Sequence, residues 1–294
     1  KTSQAEALPF ALHVAGGEAK SQMGQRHVCC VSQSQRIGMR GECCVVQNMP
    51  VGDVADLDKV AVAVEAEAPL HWFEDGSFYA GDWKGDWRHG YGKQVWPDGS
   101  MYEGSWLADQ PSGAGQFTFV GGNVYDGQWE EGKAHGHGTY IYVDGSSYEG
   151  QWFEDKQHGE GVETWPDGVT YRGQYSAGRR NGQGSFSWAD NSTYDGHFVD
   201  NLMHGYGLYK WGDGRVYEGQ WRANKMDGRG RFTWPDGRTY EGQYDNDQRN
   251  GVGTFTWADG RKYEGQWIDG KQYGSGTYSP APSADPSAAP PTPS

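Results

Sequence analysis

A 23-residue repeat, kept without insertion or deletion, constrains this chain more than any other feature. Tyrosine recurs at Tyr79, Tyr102, Tyr125, Tyr148, Tyr171, Tyr194, Tyr217, Tyr240 and Tyr263. With tyrosine as position 1, positions 3, 12 and 14 are glycine in all nine repeats, and position 5 is always aromatic. Position 18 is aromatic in the eight repeats that reach it; seven of those eight carry Asp at position 20 and seven carry Gly at position 21. Gly121 and Asn191 are the exceptions.

These columns predict strands. Tyr-x-Gly-x-Trp alternates with period 2, so it reads as a short strand with its rings and its glycine on one face. Gly-x-Gly-x-aromatic-x-aromatic, positions 12 to 18, reads as a second strand with the same alternation. Between them, six variable polar residues, such as Phe153 to His158, read as a hairpin loop. Asp-Gly between repeats is a tight-turn signal, because Gly accepts positive φ and Asp bonds its neighbouring backbone. The expected fold is all-β: an elongated, single-layer antiparallel meander, a solenoid of β-hairpins with irregular termini. Eighteen strands at ~4.8 Å spacing make a ribbon on the order of 85 Å, held by contacts between neighbours.

Composition follows from this register. Of the 47 glycines, 34 occupy positions 3, 12, 14 or 21, and 12 of the 14 tryptophans occupy position 5 or 18. Glycine normally weakens a strand. Rings of one strand that cover glycines of the next offset this: each buried ring contributes ~1.5–3 kcal/mol, against ~0.5–1 kcal/mol per strand glycine. Collagen is excluded, since glycine has no three-residue register. The aromatic content of 14% excludes a disordered array. Long aliphatic runs for a parallel sheet are absent, and so is any stretch of ~18 apolar residues that would span a membrane.

Tyr-Glu-Gly-x-Trp, then His-Gly-x-Gly and Pro-Asp-Gly, all within 23 residues, resembles the MORN repeat. Tyr148 to Thr170 carries nearly every motif position. The resemblance covers residues 79–278, as eight full repeats and a ninth ending near Tyr278. Phe73, Asp75 and Gly76 fall on positions 18, 20 and 21 of a partial unit, expected to cap the array over 71–78. Position 11, often His in this family, is His only at His89, His135, His158 and His204. The second repeat diverges most, with Pro111-Ser112 and Gly121-Gly122. The resemblance implies a scaffold or membrane-proximal module. Similar repeats occur at the N-terminal part of plant-type phosphatidylinositol-phosphate kinases, in the membrane-contact part of junctophilins and in a ciliary radial-spoke head protein. They also accompany SET-type methyltransferases.

The flanks differ from the array. Residues 1–70 lack the repeat and read as an irregular or disordered segment. Lys1 opens the chain, and Met49, at the head of an acidic stretch, is a plausible true start. No secretory signal is evident. All four cysteines lie here as the adjacent pairs Cys29-Cys30 and Cys43-Cys44, which fit a Cys-x-x-Cys metal site poorly. A cysteine-free array fits a reducing compartment, so a cytoplasmic protein is expected, peripheral at membrane or cytoskeleton. Residues 279–294 are rich in Pro, Ala and Ser and read as an extended tail or a linker to another domain.

No catalytic constellation converges. Asp at position 20 is explained by turn geometry, and the Gly-x-Gly units are not nucleotide loops because no helix follows them. No catalytic residue, metal or cofactor is assigned. The chain reads as a non-catalytic scaffold whose aromatic face binds a protein partner, a peptide or a helix. The candidate groove is Tyr148, Trp152, Trp165, Tyr171, Tyr175, Trp188, Tyr194, Phe198, Trp211, Tyr217, Trp221 and Trp234. At a net charge of −14 the chain repels anionic surfaces, so no nucleic acid is expected. One basic cluster, Lys210, Arg215, Arg222, Lys225, Arg229 and Arg231, is the alternative: an anionic phospholipid or phosphoinositide site, as in a regulatory part of a phosphatidylinositol-phosphate kinase-like protein. Two open edge strands also allow a homodimer.

Overall fold

The computed structural model describes residues 69–282. Met49 and the four cysteines lie outside the described residues, as does the tail from residue 283. Within them the chain forms 19 strands, from β1 (Leu70–Trp72) to β19 (Lys271–Ser279), and no helix. Each strand pairs antiparallel with the next, as in β2 (Phe78–Lys84) with β3 (Trp87–Val95). The result is one meandering sheet, the all-β hairpin solenoid that the register predicts.

The hairpin turns are tighter than the sequence suggests. In the fourth repeat β8 (Ser147–Phe153) and β9 (Lys156–Thr164) run to Phe153 and Lys156, which pair directly. The expected six-residue loop from Phe153 to His158 is therefore a two-residue turn, Glu154-Asp155, with both φ values positive at 45° and 63°. Two positive φ values match the right-handed strand twist. What holds the tight turn is a stitch to the preceding repeat. The Asp155 backbone N–H donates to the Ala134 carbonyl at 3.0 Å, and the Ala134 N–H donates to Asp155 Oδ1 at 2.8 Å. The same pair of bonds joins Asn224 to Met203 and Asp247 to Met226.

The turns between repeats follow the Asp-Gly expectation. The Trp188 N–H donates to the Ser192 carbonyl at 2.9 Å, and the Ser192 N–H to Asp190 Oδ1 at 2.9 Å. Asn191 supplies the positive φ, 65°, that glycine supplies elsewhere. Hydrogen bonds from Ser192 hold the Asp190 carboxyl below its ordinary range.

The core is a single layer of rings laid on glycine. Position 1 tyrosine is fully buried from Tyr79 to Tyr240. Each ring covers the position 14 glycine of the neighbouring strand. A Cβ on Gly184 would stand 2.5–2.7 Å from the Tyr171 ring and hydroxyl. That hydroxyl donates to the Gln174 carbonyl, and the arrangement recurs from Tyr79 (to Asp82) through Tyr263 (to Gln266). Position 5 rings meet the tyrosines edge-on from both sides: Tyr171 lies 5.4 Å from Tyr175 and 5.2 Å from Phe198. Edge-to-face pairs of this kind add ~0.5–1.5 kcal/mol beyond burial. Where position 5 is tryptophan in the second and later repeats, its indole N–H reaches back to the position 14 carbonyl of the preceding repeat, as Trp152 does to Gly138 at 2.9 Å.

Candidate binding surface

The twelve candidate groove residues separate into two rows. Tyr148, Trp152, Tyr171, Tyr175, Tyr194, Phe198, Tyr217 and Trp221 are the core itself, each no more than 5% exposed. Their rings are used up by glycine and by each other, so a partner does not reach them. This corrects the expectation of a groove formed by all twelve. Burial pushes the phenols of Tyr148, Tyr171, Tyr194 and Tyr217 up. The remaining four, Trp165, Trp188, Trp211 and Trp234, are half-buried at the ends of their strands. They form one edge of the sheet, beside the Asp-Gly turns.

This edge is a continuous aromatic ladder. Trp165 meets Phe186 at 5.8 Å and Phe186 meets Trp188 at 4.4 Å. Trp188 meets Tyr209 at 5.1 Å, and the ladder continues through Trp211, Phe232, Trp234 and Phe255 to Trp257. Position 16 rings thus alternate with position 18 rings. The fourth repeat interrupts the pattern, because Glu163 stands where a ring is expected. It is 8% exposed and pairs with Arg180 at 3.8 Å. The Arg180 guanidinium fills the gap, 5.7 Å from Trp165 and 5.3 Å from Phe186. Burial nevertheless pushes the Glu163 carboxyl up.

The six basic candidates do not form one patch. Lys210 and Arg215 lie at the tryptophan edge. Arg222 and Lys225 lie at the opposite edge, where β14 (Val216–Arg222) turns into β15 (Lys225–Thr233). Seven strand residues separate Arg215 from Arg222, about 23 Å. Arg229 and Arg231 are exposed within β15, and Arg231 stands between Glu218 and Glu241 on the neighbouring strands. Arg215 is bound to Asp213 at 2.7 Å and Arg222 to Asp227 at 2.6 Å. Sequence proximity grouped residues that strand direction separates.

Two features escaped sequence reasoning. Arginine occupies position 22 in three consecutive repeats, as Arg215, Arg238 and Arg261. Each lies 5.2–5.6 Å from its own position 18 tryptophan and 2.7 Å from its own turn aspartate. The column is visible in the sequence once position 22 is aligned. The second feature is a pair of shallow hollows, about 530 and 620 Å³, lined by side chains of positions 2, 13 and 15 with glycine backbone between. Arg172 and Glu160 line both. Of the four position 11 histidines, His135 and His158 both rest on Phe153, at 5.1 and 5.8 Å. Among the described residues no three His, Cys, Asp or Glu side chains are placed to hold a metal.

The MORN-repeat family model matches nine successive segments, starting at residues 79, 102, 125, 148, 171, 194, 217, 240 and 263 and ending at 279. The chain belongs to the MORN-repeat family. The boundaries of its MORN repeats coincide with the tyrosine register and with the hairpins. A comparison of the chain with curated proteins finds no match. Among solved structures, the MORN array is similar to the TCP10 domain of Danio rerio CPAP. Identity is 12% with a TM-score of 0.39, covering 67% of this chain and 94% of that one. It is also similar to the Drosophila melanogaster SAS-4 TCP domain, solved in complex with a proline-rich motif of Ana2. There identity is 11% and TM-score 0.34, covering 68% and 99%.

Proposed function

We propose that this MORN protein is a non-catalytic scaffold that captures a protein partner along its tryptophan edge and tethers it near cytoskeleton or membrane. The observation that carries the reading is the row of half-buried position 18 rings, Trp165 to Trp234, beside a core in which the position 1 and position 5 rings are buried. Large rings with one open side give contact area at low entropic cost, which is why tryptophan is enriched among the residues that dominate interfaces. MORN repeats form scaffolds that bind proteins or membranes, and the lipid form of this reading has less support here. Its six basic side chains are spread over both edges and one face, and several are already paired. No helix of the described residues is long and apolar enough to cross a membrane.

The test is partner capture by the full chain with Trp165, Trp188 and Trp211 changed together to alanine. These rings sit on the edge, so their removal spares the Tyr–Gly core. Capture is expected to fall at least tenfold, since each such ring accounts for ~1–2 kcal/mol, with the β-sheet circular dichroism retained. Undiminished capture by the folded variant overturns the reading. Replacing Arg222, Lys225, Arg229 and Arg231 by glutamine is expected to leave flotation with phosphoinositide vesicles unchanged. Flotation that depends on them would favour the lipid reading.

A further inference from the structure

Inside the array, each hairpin offers the same groups to the hairpin before it. A position 5 indole N–H donates to the preceding position 14 carbonyl, as Trp267 does to Gly253 at 3.0 Å. The same ring meets the preceding position 1 tyrosine edge-on, Trp267 on Tyr240 at 5.1 Å. The position 8 N–H donates to the preceding position 10 carbonyl. Where position 8 is Asp or Asn, its side chain accepts the position 10 N–H in return, as Asp247 does from Met226.

The last hairpin leaves the receiving half of this set open. Among the described residues no strand lies on the outer edge of β19, which pairs only with β18 (Lys262–Ile268). Its Gly276 carbonyl receives no indole, and the Gln272 N–H and carbonyl meet no position 8 residue. Tyr263 is met edge-on by its own Trp267 and by no following ring. Tyr278 is 64% exposed, whereas Phe117, Tyr140, Phe232 and Phe255, at the same position, are 3–8% exposed. From Gln272 to Ser279 the strand carries no charge and no proline, two of the devices that guard an open edge.

The first hairpin leaves the offering half open. Trp83 is half-buried, whereas the eight later position 5 rings are at most 6% exposed. Its indole N–H and the Asp86 carboxylate have no hydrogen-bond partner among the described residues. Asp86 is also the one position 8 residue without a positive φ; the eight stitched ones lie at 63–80°. β1 covers only half of this edge. It pairs Leu70, His71 and Trp72 with Ala80, Tyr79 and Phe78, and leaves Gly81 to Trp83 open on that side. All three β1 residues are exposed.

We propose that the chain assembles head to tail, with β19 of one copy pairing with β2 of the next. The first repeat of the second copy becomes the tenth repeat of the first. The register is the one that β17 (Gln248–Thr256) makes with β18. Gly274 then faces the next copy's Trp83, Gly276 its Gly81 and Tyr278 its Tyr79. Thr277 to Ser279 take the place of Leu70 to Trp72, and three pairs form that β1 does not make. Trp83 donates to the Gly276 carbonyl, and Asp86 stitches to Gln272. A second copy fits this edge because its β2 end brings a ring at positions 1 and 5, glycine at position 3 and an acid at position 8. The contact joins unlike ends, so it continues rather than closes. Each copy adds 18 strands, about 86 Å at ~4.8 Å per strand.

Position 10 supplies a test that spares the fold. Pro111 occupies it in the second repeat, where its carbonyl accepts the N–H of Gly132 at position 8, at 3.0 Å. Proline there has no N–H to give, and glycine has no side chain to receive one. Gln272→Pro should therefore fold, with its β-sheet circular dichroism retained, and leave the next copy's Asp86 without a donor. Sedimentation velocity of the full chain over a concentration series is expected to show species that keep growing with concentration. Electron micrographs should show ribbons that lengthen in steps near 86 Å. Gln272→Pro should raise the concentration for half-assembly at least tenfold, the loss of one hydrogen bond to a charged group. In an Asp86→Gly background the same proline should cost little, because proline facing glycine repeats the Pro111–Gly132 junction. Equal costs in the two backgrounds would mean that positions 272 and 86 do not meet, and would overturn the head-to-tail contact. A single copy at every concentration would overturn it as well. So would growth that stops at two copies, the result of β19 pairing with β19.

Discussion

Tyrosine at position 1 does two jobs that phenylalanine and alanine substitutions separate. Its ring lies on a position 14 glycine, and its hydroxyl ties the position 4 carbonyl. Tyr171→Phe keeps the first and loses the second, leaving the Gln174 carbonyl short of a donor. The expected cost is about 1 kcal/mol. Gly184→Ala pushes a methyl into the same ring, 2.5–2.7 Å from its atoms. The ring has no room to retreat, because Tyr175 and Phe198 stand at its two sides. A cost of about 3 kcal/mol, at the upper end for overpacking, is expected. Denaturant titration of both variants checks the order. If alanine at 184 costs less than phenylalanine at 171, the ring is not seated on that glycine.

At the scale of the hairpin, the fourth repeat differs from the seven that carry a ring at position 16. Glu163 interrupts the ring ladder, and Arg180, Gln157, Tyr175 and Tyr142 surround its carboxyl. Burial raises the carboxyl more than Arg180 lowers it. A carboxyl raised in the folded state contributes stability below its unfolded value, ~4.3. It loses that contribution as pH rises through the folded value. Glu163→Gln removes this loss. The variant should melt level with the native chain near pH 4 and a few degrees above it at pH 8, about 2–4 °C per kcal/mol at this size. A melting difference that does not change with pH would show that the Arg180 pair balances burial, and a variant that falls below the native chain only at pH 8 that the pair outweighs it. The strand columns around this hairpin were readable in the sequence, because ring and glycine alternate at period 2. The tight turn was not. Its Asp, Asn or Gly at position 8 sits among residues that otherwise vary, and its role is to bond position 10 of the preceding repeat, 21 residues earlier. The candidate surface was half readable for a related reason. Alternation places Trp152 and Trp165 on one face, but only the packed sheet shows that Tyr148 and Tyr125 enclose the first, while the second stands at the edge.

Over the whole array, every repeat contacts only its two neighbours, through paired strands and alternating rings. Stability should then be close to a sum over repeats and interfaces. Deleting residues 194–216 joins Thr193 to Tyr217 in the original register. The shortened array is expected to stay folded, with the denaturant slope reduced by roughly one ninth in step with the surface lost. Collapse of the fold would reveal long-range coupling that neighbour contacts do not provide.

Consecutive pairing also determines how the array answers a pull. Tension applied at its two ends runs across the strands, so it loads the ladder hydrogen bonds one pair at a time rather than all at once in shear. The sheet should open like a zip, repeat after repeat, at nearly constant low force. Each 23-residue unit of Tyr-Gly core would release about 80 Å of chain in exchange for the ~10 Å it occupied. In an optical trap this appears as a staircase of steps near 70 Å. A single cooperative rupture would contradict the meander, and a staircase would make this MORN array an extensible tether whose length is set by repeat number.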